Sequence, residues 1–294
     1  MKMFDEANIQ THIGDDLKYR DRLLALKEVE EYFRNKCEQN KIACSHDCTA
    51  DEKTYYKTLN YTTYAGLFIM HPLSYAPTMF QMYDAMADKC SYAGYMNWII
   101  ENLKNQQQGK YLHADGTEFE QFNGEFTHVV VLPGGNKLWQ HVSPKKLKRL
   151  NVKLGDKLVL KPHPVSNEEA EQQLKTIASK AQIANKYHDL YDLIIKSETV
   201  YTTHISETAL TSLLLGKKIS PIDSFHHRLI GSFSHINHFC FSYDDPVLLL
   251  DSIMASPKSG VVHPDVDENW QQKINQYFEY SLDMRELQKT HYYE

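Results

Sequence analysis

The sequence predicts an α/β protein whose second half is built on a doubly wound parallel sheet. Two observations carry that expectation. From residue 126 onward, short apolar runs alternate with amphipathic stretches, the pattern of strands covered by helices on both faces. Each run then ends in a loop rich in Gly, Pro, His, Ser or Thr, at the strand ends where open α/β sheets collect ligands. The composition agrees: 42% hydrophobic and 24% charged residues over 294 positions suit one large globular domain or two of ordinary size.

The first half reads as mixed α/β. Ile9 to Ile13 is a strand candidate, and Asp16 to Cys37 an amphipathic helix with Leu23, Leu24, Leu26, Val29 and Phe33 at helical spacing. Strands follow at Ile42 to Ser45 and Tyr64 to Met70, and helices at Thr78 to Cys90 and Tyr95 to Leu103. Between Tyr111 and Phe122, alternating residues flank Asp115-Gly116, a pair that tolerates positive φ, so a hairpin is expected. Beyond it the alternation is regular. Strands are expected at Phe126 to Leu132, Lys157 to Leu160, Thr199 to His204 and Ile219 to Ile222, with helices at Asn167 to Gln182, Tyr187 to Lys196 and Thr208 to Leu215. Asp267 to Thr290 closes the chain in one or two helices. The domains expected are therefore 1–124 and 125–266, with a helical tail at 267–294 that is free to return to the first domain.

Charge and cysteine usage exclude several classes. No apolar run approaches the ~20 residues of a membrane helix, and acids in Met1 to Gln10 stand where a signal peptide is apolar, so a cytoplasmic protein is expected. A net charge of -6 leaves no overall basic excess for a polyanion. One local exception exists. Lys145, Lys146, Lys148, Arg149, Lys153, Lys157 and Lys161 face the single acid Asp156, although a solvated helix and strand edge is the plainer reading. Five scattered cysteines do not make a disulfide framework. Cys37, Cys44, His46 and Cys48 resemble a ligand set only loosely, lacking a second C-x-x-C pair, so reduced thiols and no bound metal are expected.

The loops carry the chemistry. After the first strand of the second half comes Pro133-Gly134-Gly135-Asn136-Lys137, where missing side chains let backbone amides approach an anion; a plain glycine turn fits equally. No Walker sequence is present. After the second strand comes Lys161-Pro162-His163-Pro164, in which the prolines hold Lys161 and His163 extended and aim the imidazole. Such a histidine donates to a phosphate or protonates a leaving group. Ser166-Asn167-Glu168-Glu169 then starts a helix. After the third strand, Ser206-Glu207-Thr208 opens an apolar helix closed by Gly216-Lys217, offering hydroxyls and amides to an anion or, more plainly, a cap. Glu207 repels phosphate there unless it turns to sugar hydroxyls.

In this order, the Gly-Gly loop, K-P-H-P and Y-T-T-H-I-S-E-T-A-L-T-S-L-L-L-G-K-K-I resemble the C-terminal half of GT-B glycosyltransferases. The likeness is to capsular-polysaccharide transferases and bacterial sialyltransferases, and covers residues 126 to 225. It implies two Rossmann-like domains facing a cleft and a metal-independent transfer from a CMP- or UDP-sugar, the nucleotide-sugar being co-substrate and no cofactor being needed. It also implies that His163 meets the donor's phosphate or nucleotide, that Ser206 and Thr208 bind phosphate, and that Gly134, Gly135 and Asn136 line the donor cleft, with Lys161 and Glu207 beside them. The position eight after Glu207 is Leu215, so the spaced Glu pair of many retaining enzymes is absent.

Transfer with inversion needs a base for the acceptor hydroxyl. Asp15, Asp16 and Asp115 are the candidates. Ala114-Asp115-Gly116 is similar to the D/E-D-G motif of one sialyltransferase group without its first acid, though a hairpin turn explains it as well; Asp16 doubles as a helix cap. His71-Pro72 is a further cleft candidate. The acceptor expected is a glycan. The alternatives are a hydroxymethylated base in duplex DNA, stacked on Tyr55, Tyr56, Tyr61 or Tyr64, a sugar-nucleotide epimerase, or a non-catalytic nucleotide or glycan binder.

Overall fold

The computed structural model describes residues 15–19, 26–46, 55–60, 67–70, 94–106, 109–134, 138–223, 234–243 and 246–292. In chain order these form β1 (Leu17–Tyr19), α1 (Lys27–Gln39), β2 (Cys44–His46), β3 (Tyr56–Asn60), β4 (Leu67–Met70), α2 (Tyr95–Gln106) and β5 (Tyr111–His113). There follow β6 (His128–Val131), α3 (Leu138–His141), α4 (Pro144–Leu154), β7 (Leu158–Lys161), α5 (Glu168–Ile177), β8 (Gln182–Ile183), α6 (Leu190–Lys196), β9 (Thr199–Thr202), α7 (Thr208–Leu214) and β10 (Lys218–Pro221). The last elements are α8 (Ser234–Ser242), α9 (Pro246–Ala255), β11 (Val261–Val262) and α10 (Trp270–Tyr292). The expected strand at 9–13 and helix at 78–90 lie outside the described residues.

Two compact units divide the chain. Among the described residues one unit takes Tyr19, those from 26 to 106 and 246–292; the other takes 15–18 and 109–243. In the second unit β10-β9-β6-β7-β8 form a five-stranded sheet with every pair parallel. The strands thus stand in the sequence order 3-2-1-4-5 of a doubly wound sheet, with the switch point between β6 and β9. Alternation buries both faces. Val130, Leu132, Leu158 and Leu160 pack with Leu147 and Leu174 on one side, while Val129, Val131, Val159 and Val200 pack with Phe122, Leu193 and Ile194 on the other. Burial on both sides is why these strands read as unbroken apolar runs.

The first unit departs from the second Rossmann-like domain expected there. Its described strands form a mixed sheet, β11-β4-β3-β2, with only β2 and β3 parallel. Phe33 and Cys37 of α1, Cys44, Tyr56, and Ile274 and Phe278 of α10 form its core, so the C-terminal helix does return to the first unit. Residues 246–266 belong here too, rather than to the second domain. Asp251 of α9 accepts the N–H groups of Gly94 (3.1 Å) and Met96 (2.6 Å), capping α2, and β11 pairs with β4.

Three local expectations are corrected. Leu17–Tyr19 is a strand joined to β5, within the span expected as helix, and α1 covers Lys27–Gln39; Leu17 is fully buried there. The turn at Asp115-Gly116 forms, with Gly116 at φ +89° and its N–H on the His113 carbonyl at 2.8 Å. The chain beyond it does not complete the hairpin, because Glu120 instead exchanges hydrogen bonds with Tyr187 (3.1 Å) and Asp189 (2.7 Å). The helix expected to run to Gln182 ends at Ile177. Buried Asn151 of α4 accepts the N–H groups of Lys180 (3.0 Å) and Ala181 (2.9 Å) and draws the chain off into β8.

Candidate functional site at the carboxyl edge of the parallel sheet

Because the five strands run the same way, the loops after β6, β7, β9 and β10 leave the sheet at one edge. The loop after β6 carries Gly134, which is half-buried; Gly135 and Asn136 lie outside the described residues. The loop after β7 carries His163. Its Nδ1 accepts the N–H of Val165 at 3.2 Å, and its ring meets the ring of Tyr111 edge-on at 6.0 Å. A ring nitrogen that accepts has no proton of its own, so the neutral imidazole carries its proton on Nε2. His163 is thereby set as a donor through Nε2. Asn167 caps α5 as expected, accepting from Ala170 at 2.9 Å.

Lys161, expected beside His163 at the donor, is committed elsewhere. Its buried Nζ donates to the carbonyls of Pro162 (3.2 Å), Asn185 (3.2 Å) and Lys186 (2.7 Å). That uses its three protons on the backbone and fastens the β8–α6 loop to β7. Burial pulls its pKa down to about 7, against the opposing pull of Asp189 and Glu171.

The loop after β9 is braced from α8. Asn237 donates through Nδ2 to the carbonyls of His204 (2.8 Å) and Ser206 (2.6 Å). Ser206 Oγ accepts the N–H of Thr208 at 3.3 Å just ahead of α7, whose N-cap is Glu207; Thr208 is buried, and Glu207 receives the Thr211 hydroxyl on its carbonyl at 3.3 Å. Substituting Asn237→Ala would leave two carbonyls without their donor. It is expected to lower stability by about 2 kcal/mol, read as a lower urea midpoint at unchanged slope.

One pair at this edge was not anticipated. Asp223, just past β10, accepts from His204 Nδ1 at 2.7 Å and from the His204 backbone N–H at 3.0 Å, and both side chains are buried. Phe241 covers the imidazole at 4.9 Å between centroids, and Lys146 donates to the Asp223 carbonyl at 2.8 Å. The carboxylate keeps the His204 proton on Nδ1 and leaves Nε2 as the second functional nitrogen. Two imidazoles therefore flank β6, His163 after one neighbouring strand and His204 after the other, with opposite tautomers. Their strands are about 10 Å apart, two inter-strand spacings. The signal was in the sequence, since Asp223 and His204 both follow apolar strand runs just as His163 does.

Two of the three candidate bases are held by neighbouring donors. Asp16 accepts from Lys186 Nζ at 2.9 Å and from the Tyr187 hydroxyl, and the Tyr187 hydrogen bond above all, with help from Lys186, holds its pKa below the usual carboxylate value. Asp115 is exposed and accepts both the N–H (2.9 Å) and the hydroxyl (2.8 Å) of Thr117, which likewise hold it low. Carboxylates held low are weak bases. Asp15 is exposed in the turn before β1. In the first unit Tyr56 is fully buried with its hydroxyl on Ser281, and Tyr55 packs against the same core, so neither is placed to stack on a flipped base. His71, Tyr61, Tyr64 and Cys48 lie outside the described residues. Cys37, Cys44 and Cys240 are buried free thiols; burial and the adjoining Cys37 thiol push Cys44 far up. Among the described residues no cluster of His, Cys, Asp and Glu gathers as a metal site, and no helix is long and apolar enough to cross a membrane.

No protein-family model matches the sequence, and no curated protein is significantly similar to it. Among solved structures, the chain is similar to KpsC, a beta Kdo 2,7 transferase of Thermosulfurimonas dismutans. Identity is 11%, 82% of this chain and 88% of that chain are covered, and the TM-score is 0.41.

Proposed function

We propose that this chain transfers a glycosyl group from a nucleotide-sugar to an acceptor hydroxyl. The supporting observation is that the three loops whose order resembles the GT-B nucleotide site leave one edge of a parallel sheet, with His163 and His204 on either side of the switch-point strand β6. Breaking the bond between sugar and nucleotide develops charge on the departing phosphate, and N–H donors fixed beforehand lower that barrier. His163 offers Nε2–H. His204, oriented by Asp223, adds Nε2 as a second ring nitrogen at the same edge. Lys161, Asp16 and Asp115 have no part in this scheme, because each is held by backbone or side-chain partners. A glycan hydroxyl fits better than a DNA base, since Tyr56 belongs to the core.

Calorimetry with CMP, UDP, GDP and their sugar conjugates tests the reading. One nucleotide class should bind and raise the melting temperature, a ligand at 100 times its Kd stabilising by about 2.7 kcal/mol. His163→Ala should weaken that binding, or turnover, at least ~10-fold, about 1.4 kcal/mol, with the melting temperature of the free protein unchanged. If none of the nucleotides binds, or if His163→Ala binds as the wild type does, the assignment is wrong.

A further inference from the structure

The basic stretch that the sequence singles out resolves into one helix with a sharply divided surface. Leu147 and Asn151 of α4 are buried, and Leu150 and Leu154 pack behind them. Lys145, Lys148, Arg149, Val152 and Lys153 are all exposed. At 3.6 residues per turn these five occupy an arc of about 140°, in which Val152 lies between Lys148 and Lys145. Val152 is 66% exposed, more than any other large hydrophobic side chain among the described residues. Among the described residues none of these four cationic side chains is in a hydrogen bond or ion pair. Asp156 lies past the helix end, and Glu125, earlier in the chain, pairs with Lys157 at 4.0 Å.

The placement runs against local helix rules. The first turn of α4 has no acid and instead carries Lys145 and Lys146, although the helix dipole favours negative charge there. Lys146 is accounted for by the Asp223 carbonyl; the Lys145 side chain has no such acceptor among the described residues. A run this basic also stands out in a chain of net charge -6. Departures from local consistency that nothing inside the fold compensates mark functional surfaces.

We propose that the outward stripe of α4 docks the protein on an anionic lipid surface. Four cations beside one exposed apolar side chain suit a surface whose lipid phosphates take the cations while Val152 meets the adjoining apolar boundary. A duplex would use the cations equally but gives Val152 nothing to enter. This inference does not depend on the proposed transfer reaction, though it would bring the site to a lipid-borne acceptor.

Co-sedimentation of the full chain with vesicles tests it. Binding is expected to vesicles of phosphatidylglycerol and phosphatidylcholine, to vanish on phosphatidylcholine alone, and to weaken steeply with added salt. Each cation near such a surface is worth about fivefold in partitioning, so Lys148→Gln, Arg149→Gln and Lys153→Gln together should lower it about 100-fold. Val152→Ser should lower it and Val152→Phe raise it, with the salt dependence unchanged. All four substituted positions are exposed, so circular dichroism and melting temperature should match the wild type. The proposal is overturned if the triple variant sediments like the wild type, if phosphatidylcholine vesicles bind equally, if no vesicles bind at low salt, or if duplex DNA of equal phosphate concentration binds more tightly.

Discussion

Raising the pH from about 5 to about 8 should destabilise the first unit by about 4 kcal/mol relative to a Glu30→Gln variant carried through the same titration. Glu30 lies on the inner face of α1, 1% exposed. One carboxyl oxygen takes the hydroxyl of Thr58, and the other has no hydrogen-bond partner. Burial raises its pKa to about 8, outweighing the opposing effects of the Thr58 hydrogen bond and Arg34. The folded state therefore binds a proton that the unfolded chain releases near 4.5. Stability is fully present below that unfolded value and falls by about 1.4 kcal/mol per pH unit until the folded carboxyl also ionises. Like charge on Glu31 adds to the penalty. Glutamine keeps the shape without the charge. Hydrogen exchange of the α1 amides reads the effect locally; parallel pH curves for wild type and Glu30→Gln would refute it.

Legibility followed burial. β6 and β7 were readable because Val129 to Val131 and Leu158 to Leu160 are apolar on both faces, and the start of α5 was readable because Asn167 caps through a local hydrogen bond. β8 was not, because two half-exposed residues, Gln182 and Ile183, carry no period; Asn151, about thirty positions earlier, decides where it begins. β1 was hidden inside a helical pattern, and only its pairing with β5 makes it a strand. The unit boundary depended on Asp251 reaching Gly94 and Met96 across 157 and 155 positions. The site divides in the same way. His163 was legible as a locally fixed imidazole because two prolines adjoin it, whereas the His204–Asp223 pair exists only because β9 and β10 are neighbours in the sheet. Lys161 shows the converse, a cation at a strand end whose three acceptors come from its own loop and from a segment 24 and 25 positions on.

Replacing Lys161 with methionine should cost about 3 to 5 kcal/mol, the range for stripping one side from a buried charged contact. Methionine fills the stem's space but supplies no N–H, leaving the carbonyls of Pro162, Asn185 and Lys186 without the donors they have now. At about 2 to 4 °C per kcal/mol for a domain of this size, the melting temperature should fall by roughly 6 to 20 °C. The pH dependence has the opposite sign to that of Glu30. The folded pKa is pulled to about 7 from an ordinary 10.5, so between those values the unfolded chain binds the extra proton and stability rises with pH. The amides of Ala184 and Asn185 should report both effects: exchange faster in Lys161→Met, and a wild-type protection that grows from about pH 7 to pH 9 only while the lysine is present. If instead Lys161→Met lost nucleotide binding with stability intact, the lysine would be a ligand for the donor after all, and the three carbonyls would have to find their donors in solvent.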